Sequence, residues 1–204
     1  DGIMIRTYEQ KEVEDLAEYG SVPVINGLTD YCHPCQVLAD LMTIREKFMV
    51  LEGLKLVYIG DGNNMTNSLI VGGLTMGMKV AVATPKDYRP DEKIMAWAEK
   101  NPDFTWTTSP QEAIKDADVV YTDTWASMGQ EEEKAIREKA FAGYQVNSEL
   151  MKLAKDTAMV QHCLPAYRGQ EITEDVFEAH ADEIFEEAEN RLHAQKAVMV
   201  TLLK

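Results

Sequence analysis

Three short stretches hold the residues of this chain best suited to chemistry: GDGNNM at 60–65, TDTWASMG at 122–129 and QHCLPAYRG at 161–169. Each follows an apolar, β-favouring run (LKLVYI, ADVVY and AMVQ), so each is expected at the carboxyl end of a strand, where open α/β sheets bind ligands. Asn63 and Asn64 offer amide donors and acceptors that suit a zwitterionic small molecule. A carboxylate at Asp123 can hold an ammonium group, with Trp125 beside it and Ser127-Met128-Gly129 forming a loop able to close over an apolar chain. Cys163 stands next to His162 and ahead of Pro165. Plainer roles stay open for each: a helix cap at the asparagines, a cap at Asp123 with Trp125 as core packing, and an inert core thiol at Cys163.

A fourth stretch, DYCHPCQVL at 30–38, carries two of the three cysteines in C-x-x-C spacing. A structural zinc needs four ligands, so it would have to recruit Cys163 and His162 from far along the chain. If those two sit on a strand they point to opposite faces and could hardly both ligate. A thioredoxin-like redox pair fits the spacing but leaves the asparagine, aspartate and Ser-Met-Gly loops without a role. The remaining reading makes His33 and Gln36 the working residues, with Pro34 presetting a helix start whose free amides face an anion. A dinucleotide site is disfavoured at GDGNNM. Position 65 is Met where the fingerprint needs a small residue, and MKVAVATP ends on Thr84 and Pro85 rather than on an acid.

These loops need a scaffold, and the patterning supplies one. Strands are expected at 3–6, 22–26, 54–60, 78–84, 117–123 and 158–162. Helices are expected at about 9–19, 35–50, 64–76, 91–100, 110–116, 130–141, 147–154 and 187–203. Val- and Ile-rich strands alternating with helices indicate a parallel sheet covered on both faces, a doubly wound α/β domain. The first βαβ unit is set apart by the long helix at 35–50, and this helix bridges residues 1–34 to a second domain at 51–185.

The net charge of −15 over 204 residues argues against a nucleic-acid partner. Acidic clusters such as Glu131-Glu132-Glu133 and Glu186-Glu187 fit solvated first turns of helices. No apolar run approaches the ~20 residues of a membrane span, and three cysteines are too few for a disulfide scaffold, so a cytoplasmic setting is expected. The opening DGIMIR has neither an initiator Met nor a signal-peptide pattern and suggests a fragment or a processed product.

With HPCQ, GDGNN, DTWASMG and HCLP in this order, the sequence resembles the ornithine carbamoyltransferases, along essentially its whole length. MIRT before the first helix, PVINGL before HPCQ and EAENR at 187–191 add to the likeness. The resemblance implies the C-terminal part of a carbamoyl-phosphate domain at 1–34 and an interdomain helix at 35–50. It further implies a Rossmann-like ornithine domain at 51–185 and a returning helix at 186–204. Arg6, His33, Pro34, Cys35, Gln36, Cys163, Leu164 and Arg191 would bind carbamoyl phosphate. Asn64 (rather than Asn63), Asp123, Ser127, Met128 and Cys163 would hold ornithine.

The implied reaction is attack of ornithine's δ-amine on the carbamoyl carbon, giving citrulline in arginine biosynthesis. Cys163 and Asp123 would orient the amine and take up its proton, and His33 and Arg6 would donate to the developing oxyanion. No metal and no organic cofactor is required, and the whole enzyme would be a homotrimer or a multiple of trimers. The family's S-x-R-T phosphate loop is absent from these 204 residues, so the chain is expected to be inactive alone.

Overall fold

The computed structural model describes residues 1–126 and 133–203. Two parallel sheets are formed. In the smaller, β1 (Ile3–Arg6) pairs with β2 (Val24–Leu28) across α1 (Gln10–Tyr19). The larger is built from β3 (Lys55–Ile59), β4 (Lys79–Ala83), β5 (Phe104–Thr107), β6 (Val119–Thr122) and β7 (Met159–Gln161), in the spatial order β5-β4-β3-β6-β7. All four of its pairings are parallel, as βαβ crossovers require. The order reverses between β3 and β6, which makes the carboxyl ends of these two strands the switch-point crevice of the sheet.

The strands are hydrophobic on both faces because both faces are covered. Alternate residues of β3 serve opposite cores: Leu56 and Tyr58 join one cluster with Leu41, Ile44 and Leu69, while Val57 and Ile59 join another with Phe141, Val146 and Ile172. Burying a side chain such as Leu56 or Ile59 completely is worth about 1.5–3 kcal/mol. On the first face lie α2 (Pro34–Phe48) and α3 (Asn64–Thr75). Close approach here depends on Gly72 and Gly73. A methyl on Gly72 would meet Val37 at 2.5 Å, and one on Gly73 would meet Val80 at 2.7 Å.

Connecting helices α4 (Glu92–Ala98), α5 (Pro110–Ala113), α6 (Lys134–Ala140), α7 (Ser148–Met151) and α8 (Glu174–Ala179) complete the layers, and α9 (Ala181–Leu202) packs along α2. The six expected strands are all present. Three features differ from expectation. An edge strand, β5, adds a seventh; its residues FTWT alternate apolar and polar, but four residues are the shortest run that can show a period of two. The six-residue α8 is also unforeseen, being too short to show a 3.6-residue period. Finally α9 begins six residues earlier than expected, which moves Glu186 and Glu187 from a first turn into the helix body. Glu187 is consequently fully buried rather than solvated.

Candidate functional site

A cavity of about 470 Å³ opens at the switch point, and most of the candidate residues meet there. Arg6, His33, Gln36, Asn63, Asn64, Asp123, Cys163, Leu164 and Arg191 all line it. Pro34 and Cys35 do not: Pro34 is the first residue of α2, and the buried Cys35 thiol donates to the Asn26 carbonyl oxygen at 3.3 Å. Ser127 and Met128 lie outside the described residues. All three cysteines are free thiols.

The turn after β3 brings the asparagines to the crevice. Asn63 caps α3, its Oδ1 accepting from the amides of Met65 at 3.0 Å and Thr66 at 3.2 Å. Its other face reaches across the switch point, where Nδ2 donates to Asp123 Oδ2 at 2.8 Å. The cap and the cavity-facing role therefore belong to one residue. Asn64 Nδ2 donates to the Thr29 carbonyl oxygen at 2.7 Å and so ties the loop before α2 to α3. Ser68 adds a second tie by accepting from the His33 amide at 2.7 Å. Gly62 is obligatory in this turn, because a Cβ there would lie 2.3 Å from backbone atoms of Arg89 and Pro90.

At the end of β6, Asp123 accepts three hydrogen bonds, from Asn63, from the Thr124 amide at 2.7 Å and from the Cys163 thiol at 3.1 Å. Burial, with the Asp123 charge next, pushes the Cys163 thiol well above its ordinary pKa, so near pH 7 it is a protonated donor rather than a thiolate. Leu164 follows in a left-handed conformation (φ 56°), a strained choice for a branched residue, and its amide donates to His162 Nδ1 at 2.9 Å.

Asp123, His162 and Cys163 place their donor atoms within 4.8 Å of one another. This corrects the expectation that His162 and Cys163 face apart: β7 ends at Gln161, so strand alternation no longer governs the next two residues. The trio nevertheless does not fit a metal. His162 Nδ1 is occupied by the Leu164 amide, which leaves Nε2 as the N–H donor to Glu171 Oε1 at 3.1 Å. Neither ring nitrogen keeps a lone pair for an ion.

The opposite wall is cationic. Burial and the guanidiniums of Arg191 and Arg6 hold the His33 pKa down at about 3, so its imidazole is neutral, and its Nδ1 is buried without a partner. Gln36 is fixed at both ends of its amide: Nε2 donates to Asp40 Oδ1 at 2.8 Å and to Glu187 Oε1 at 3.2 Å, while Oε1 accepts from Arg191. The cavity thus has guanidiniums and a neutral imidazole on one side and amides with a carboxylate on the other. The Cys163–Asp123 hydrogen bond lies between them.

The chain matches the model of the aspartate/ornithine carbamoyltransferase Asp/Orn-binding domain over residues 52–202, and that of the carbamoyl-P-binding domain over residues 1–46. The chain belongs to the aspartate/ornithine carbamoyltransferase family. Among its relatives is the ornithine carbamoyltransferase of Pyrococcus abyssi, 55% identical over the whole chain. The anabolic ornithine carbamoyltransferase of Pyrococcus furiosus is 53% identical. The chain spans 66% of the length of each, just short of two thirds. Solved carbamoyltransferase structures superimpose closely. The Pyrococcus furiosus enzyme gives a TM-score of 0.91 at 54% identity, covering 98% of this chain and 65% of that one. The anabolic enzyme of Campylobacter jejuni gives 0.94 at 41% identity, covering 99% and 69%.

Two cavity residues of this carbamoyltransferase fold, Asp61 and Arg137, are not among those expected from the sequence. Arg137, on α6, donates to Asp61 Oδ2 at 2.8 Å and to the Trp125 carbonyl oxygen at 3.0 Å, and its guanidinium lies 5.1 Å from the Tyr88 ring. Burial raises the Asp61 pKa to about 6 even though Arg137 opposes the shift. Asp61 could have been suspected from its place in GDGNN; Arg137 sits in an ordinary charged helix and could not.

Proposed function

We propose that this cavity binds carbamoyl phosphate and L-ornithine and transfers the carbamoyl group to the δ-amine, giving L-citrulline and phosphate. The observation that carries the reading is the Cys163 thiol donating to Asp123 at 3.1 Å, between a wall bearing Arg6, His33 and Arg191 and a wall bearing Asn63 and Asn64. The names of the relatives, ornithine carbamoyltransferases that include an anabolic one, support ornithine as acceptor and arginine biosynthesis as the setting.

The chemistry follows from the groups present. Presenting a primary amine neutral at pH 7 costs about 4–5 kcal/mol, given an ordinary pKa near 10.4. Asp123 is the group able to accept from that amine, and Cys163, held as a thiol, orients the carboxylate by donating to it. Arg6 and Arg191 supply planar forks for phosphate oxygens. A neutral His33 can donate one N–H to the carbamoyl oxygen as it gains charge, and fixed donors of this kind are worth about 3 kcal/mol each. Gln36, with both amide hydrogens committed to carboxyls, can offer only its oxygen to the carbamoyl N–H.

The division of labour extends to the domains: residues 1–34 on the carbamoyl-phosphate side, the helix at 35–50 bridging, 51–185 on the ornithine side, and the segment from 186, within α9, returning to the first. The three free thiols support a reducing, cytoplasmic setting, and no helix among the described residues is long and apolar enough to cross a membrane. A homotrimer or a multiple of trimers is the assembly inferred for the whole enzyme. The test is titration calorimetry with carbamoyl phosphate followed by L-ornithine, alongside a citrulline-formation assay with and without the remaining third of a relative's chain. Binding of neither substrate in any arm would overturn the proposal.

A further inference from the structure

Beneath Gln36, at the crossing of α2 and α9, two carboxyl groups are buried against each other. Asp40 and Glu187 are both fully inaccessible to solvent, and one donor, Gln36 Nε2, reaches both carboxyls, at 2.8 Å and 3.2 Å. Two carboxylates this close in a low-dielectric interior cannot both ionise. Their hydrogen bonds are also unequal. Glu187 accepts three, from Gln36 Nε2 at 3.2 Å, from the Tyr121 hydroxyl at 3.2 Å and from the His162 amide at 2.9 Å. The Asp40 carboxyl accepts from Gln36 Nε2 at Oδ1, and among the described residues its buried Oδ2 has no donor. A buried acceptor without a donor costs about 1–3 kcal/mol. A proton on that oxygen, shared with Glu187, removes the deficit.

We propose that Asp40 and Glu187 hold a single proton between them and act as a positioning pair, locking the Gln36 amide and the backbone that carries Cys163. The proton lies between the two carboxyls, where it gives the donor-less Asp40 Oδ2 a partner. The pair joins the two halves of the cavity. Through Gln36 it fixes the oxygen that Arg191 grips, and through Glu187 Oε2 it holds the amide of His162, the residue before Cys163. Both residues are positioning residues and neither lines the cavity.

The environment retains the proton. Burial raises both carboxyls, Asp40 to about 7 and Glu187, with the Asp40 charge next, well above its ordinary value. The groups facing the pair are Gln36 on α2, Arg191 on α9, Tyr121 on β6, and His162 with Cys163 after β7; Asp123 acts from the next loop. Arg191 is the cation that favours ionising Asp40. One proton stays with the pair above neutral pH, because its loss would leave two adjacent buried carboxylates, and the Gln36 clamp holds.

The shared proton does not depend on the proposed activity; only the role of Gln36 does. The experiment is infrared and NMR titration of this chain from pH 5 to pH 9, with Asp40→Asn and Glu187→Gln variants. The wild type should keep a protonated-carboxyl stretch from pH 6 through pH 8, and both variants should lack it at pH 8. Asp40→Asn places an N–H where Oδ2 stands, so its Gln36 side-chain amide should resist hydrogen exchange at every pH. In the wild type that protection should last as long as the stretch does. Absence of the stretch at pH 8, or its presence there in both variants, overturns the shared proton. A wild-type Gln36 amide that exchanges freely while the stretch is present overturns the positioning role, and this measurement needs no variant to fold. Failure to bind carbamoyl phosphate with all of these signatures intact would count against the proposed function alone.

Discussion

Replacing Arg137 by Met tests the electrostatics of the crevice floor directly. Arg137 and Asp61 form an ion pair at 2.8 Å with side chains only 8% and 9% exposed. At an effective dielectric near 20, charges about 4 Å apart attract by roughly 4 kcal/mol. Removing one partner of a buried pair typically costs 3–5 kcal/mol. The sign with pH follows from Asp61, whose folded pKa is raised to about 6 from an ordinary 3.8. Stability from such a group is complete at acid pH and is lost as pH rises through the folded value. Without Arg137 the titration moves upward by roughly two further pH units, so the variant keeps losing stability where the wild type has levelled off. The pH-dependent part of the deficit is then about 2–3 kcal/mol at pH 8 and near zero at pH 5. The lost hydrogen bond to the Trp125 carbonyl adds about 1 kcal/mol at either pH. Urea unfolding of both proteins at pH 5 and pH 8 measures this. A deficit equal at the two pH values, or larger at pH 5, would refute the reasoning.

In a whole-enzyme context Cys163→Ala should lower turnover about 10²–10⁴-fold, whereas Cys32→Ser with Cys35→Ser should leave most of it; steady-state citrulline assays decide, and equal losses would undo the reading of HPCQ. The Asp123 charge raises the Cys163 pKa, so Asp123→Asn should speed iodoacetamide labelling of Cys163 at pH 8, followed by mass spectrometry. The His33 imidazole, held at about 3, should show no NMR titration between pH 5 and 8, and Arg191→Gln should raise its pKa by removing a neighbouring cation. Because His33 is depressed below its ordinary 6.5, its contribution to stability is present above that value and drains away as pH falls toward about 3. Gly62→Ala should destabilise the chain by about 1–3 kcal/mol in urea melts, since the new methyl meets backbone atoms at 2.3 Å.

Local sequence decided a good deal of this molecule. Both-face hydrophobicity in KLVYI, KVAVA and VVYT required a covered parallel sheet, and a polar loop after each buried strand put Asn63, Asp123 and Cys163 at one edge. Pro34 at the start of α2 and Asn63 as the cap of α3 were written in single residues. What the sequence could not carry was anything set by packing between distant segments. Arg137 reaches Asp61 across 76 positions and Gln36 reaches Glu187 across 151, distances over which no periodicity speaks. Glu187 shows the difference most plainly. In sequence it is one of several surface-seeming acids, and a helix beginning at 187 would have left it in water. In the fold α9 starts at 181, the turn carrying Glu187 is pressed against α2, β6 and the end of β7, and the same carboxyl becomes a buried acceptor of three hydrogen bonds. Residue type and spacing fixed which groups could do chemistry at the sheet edge. Burial, which exists only once the layers close, fixed their protonation and their partners.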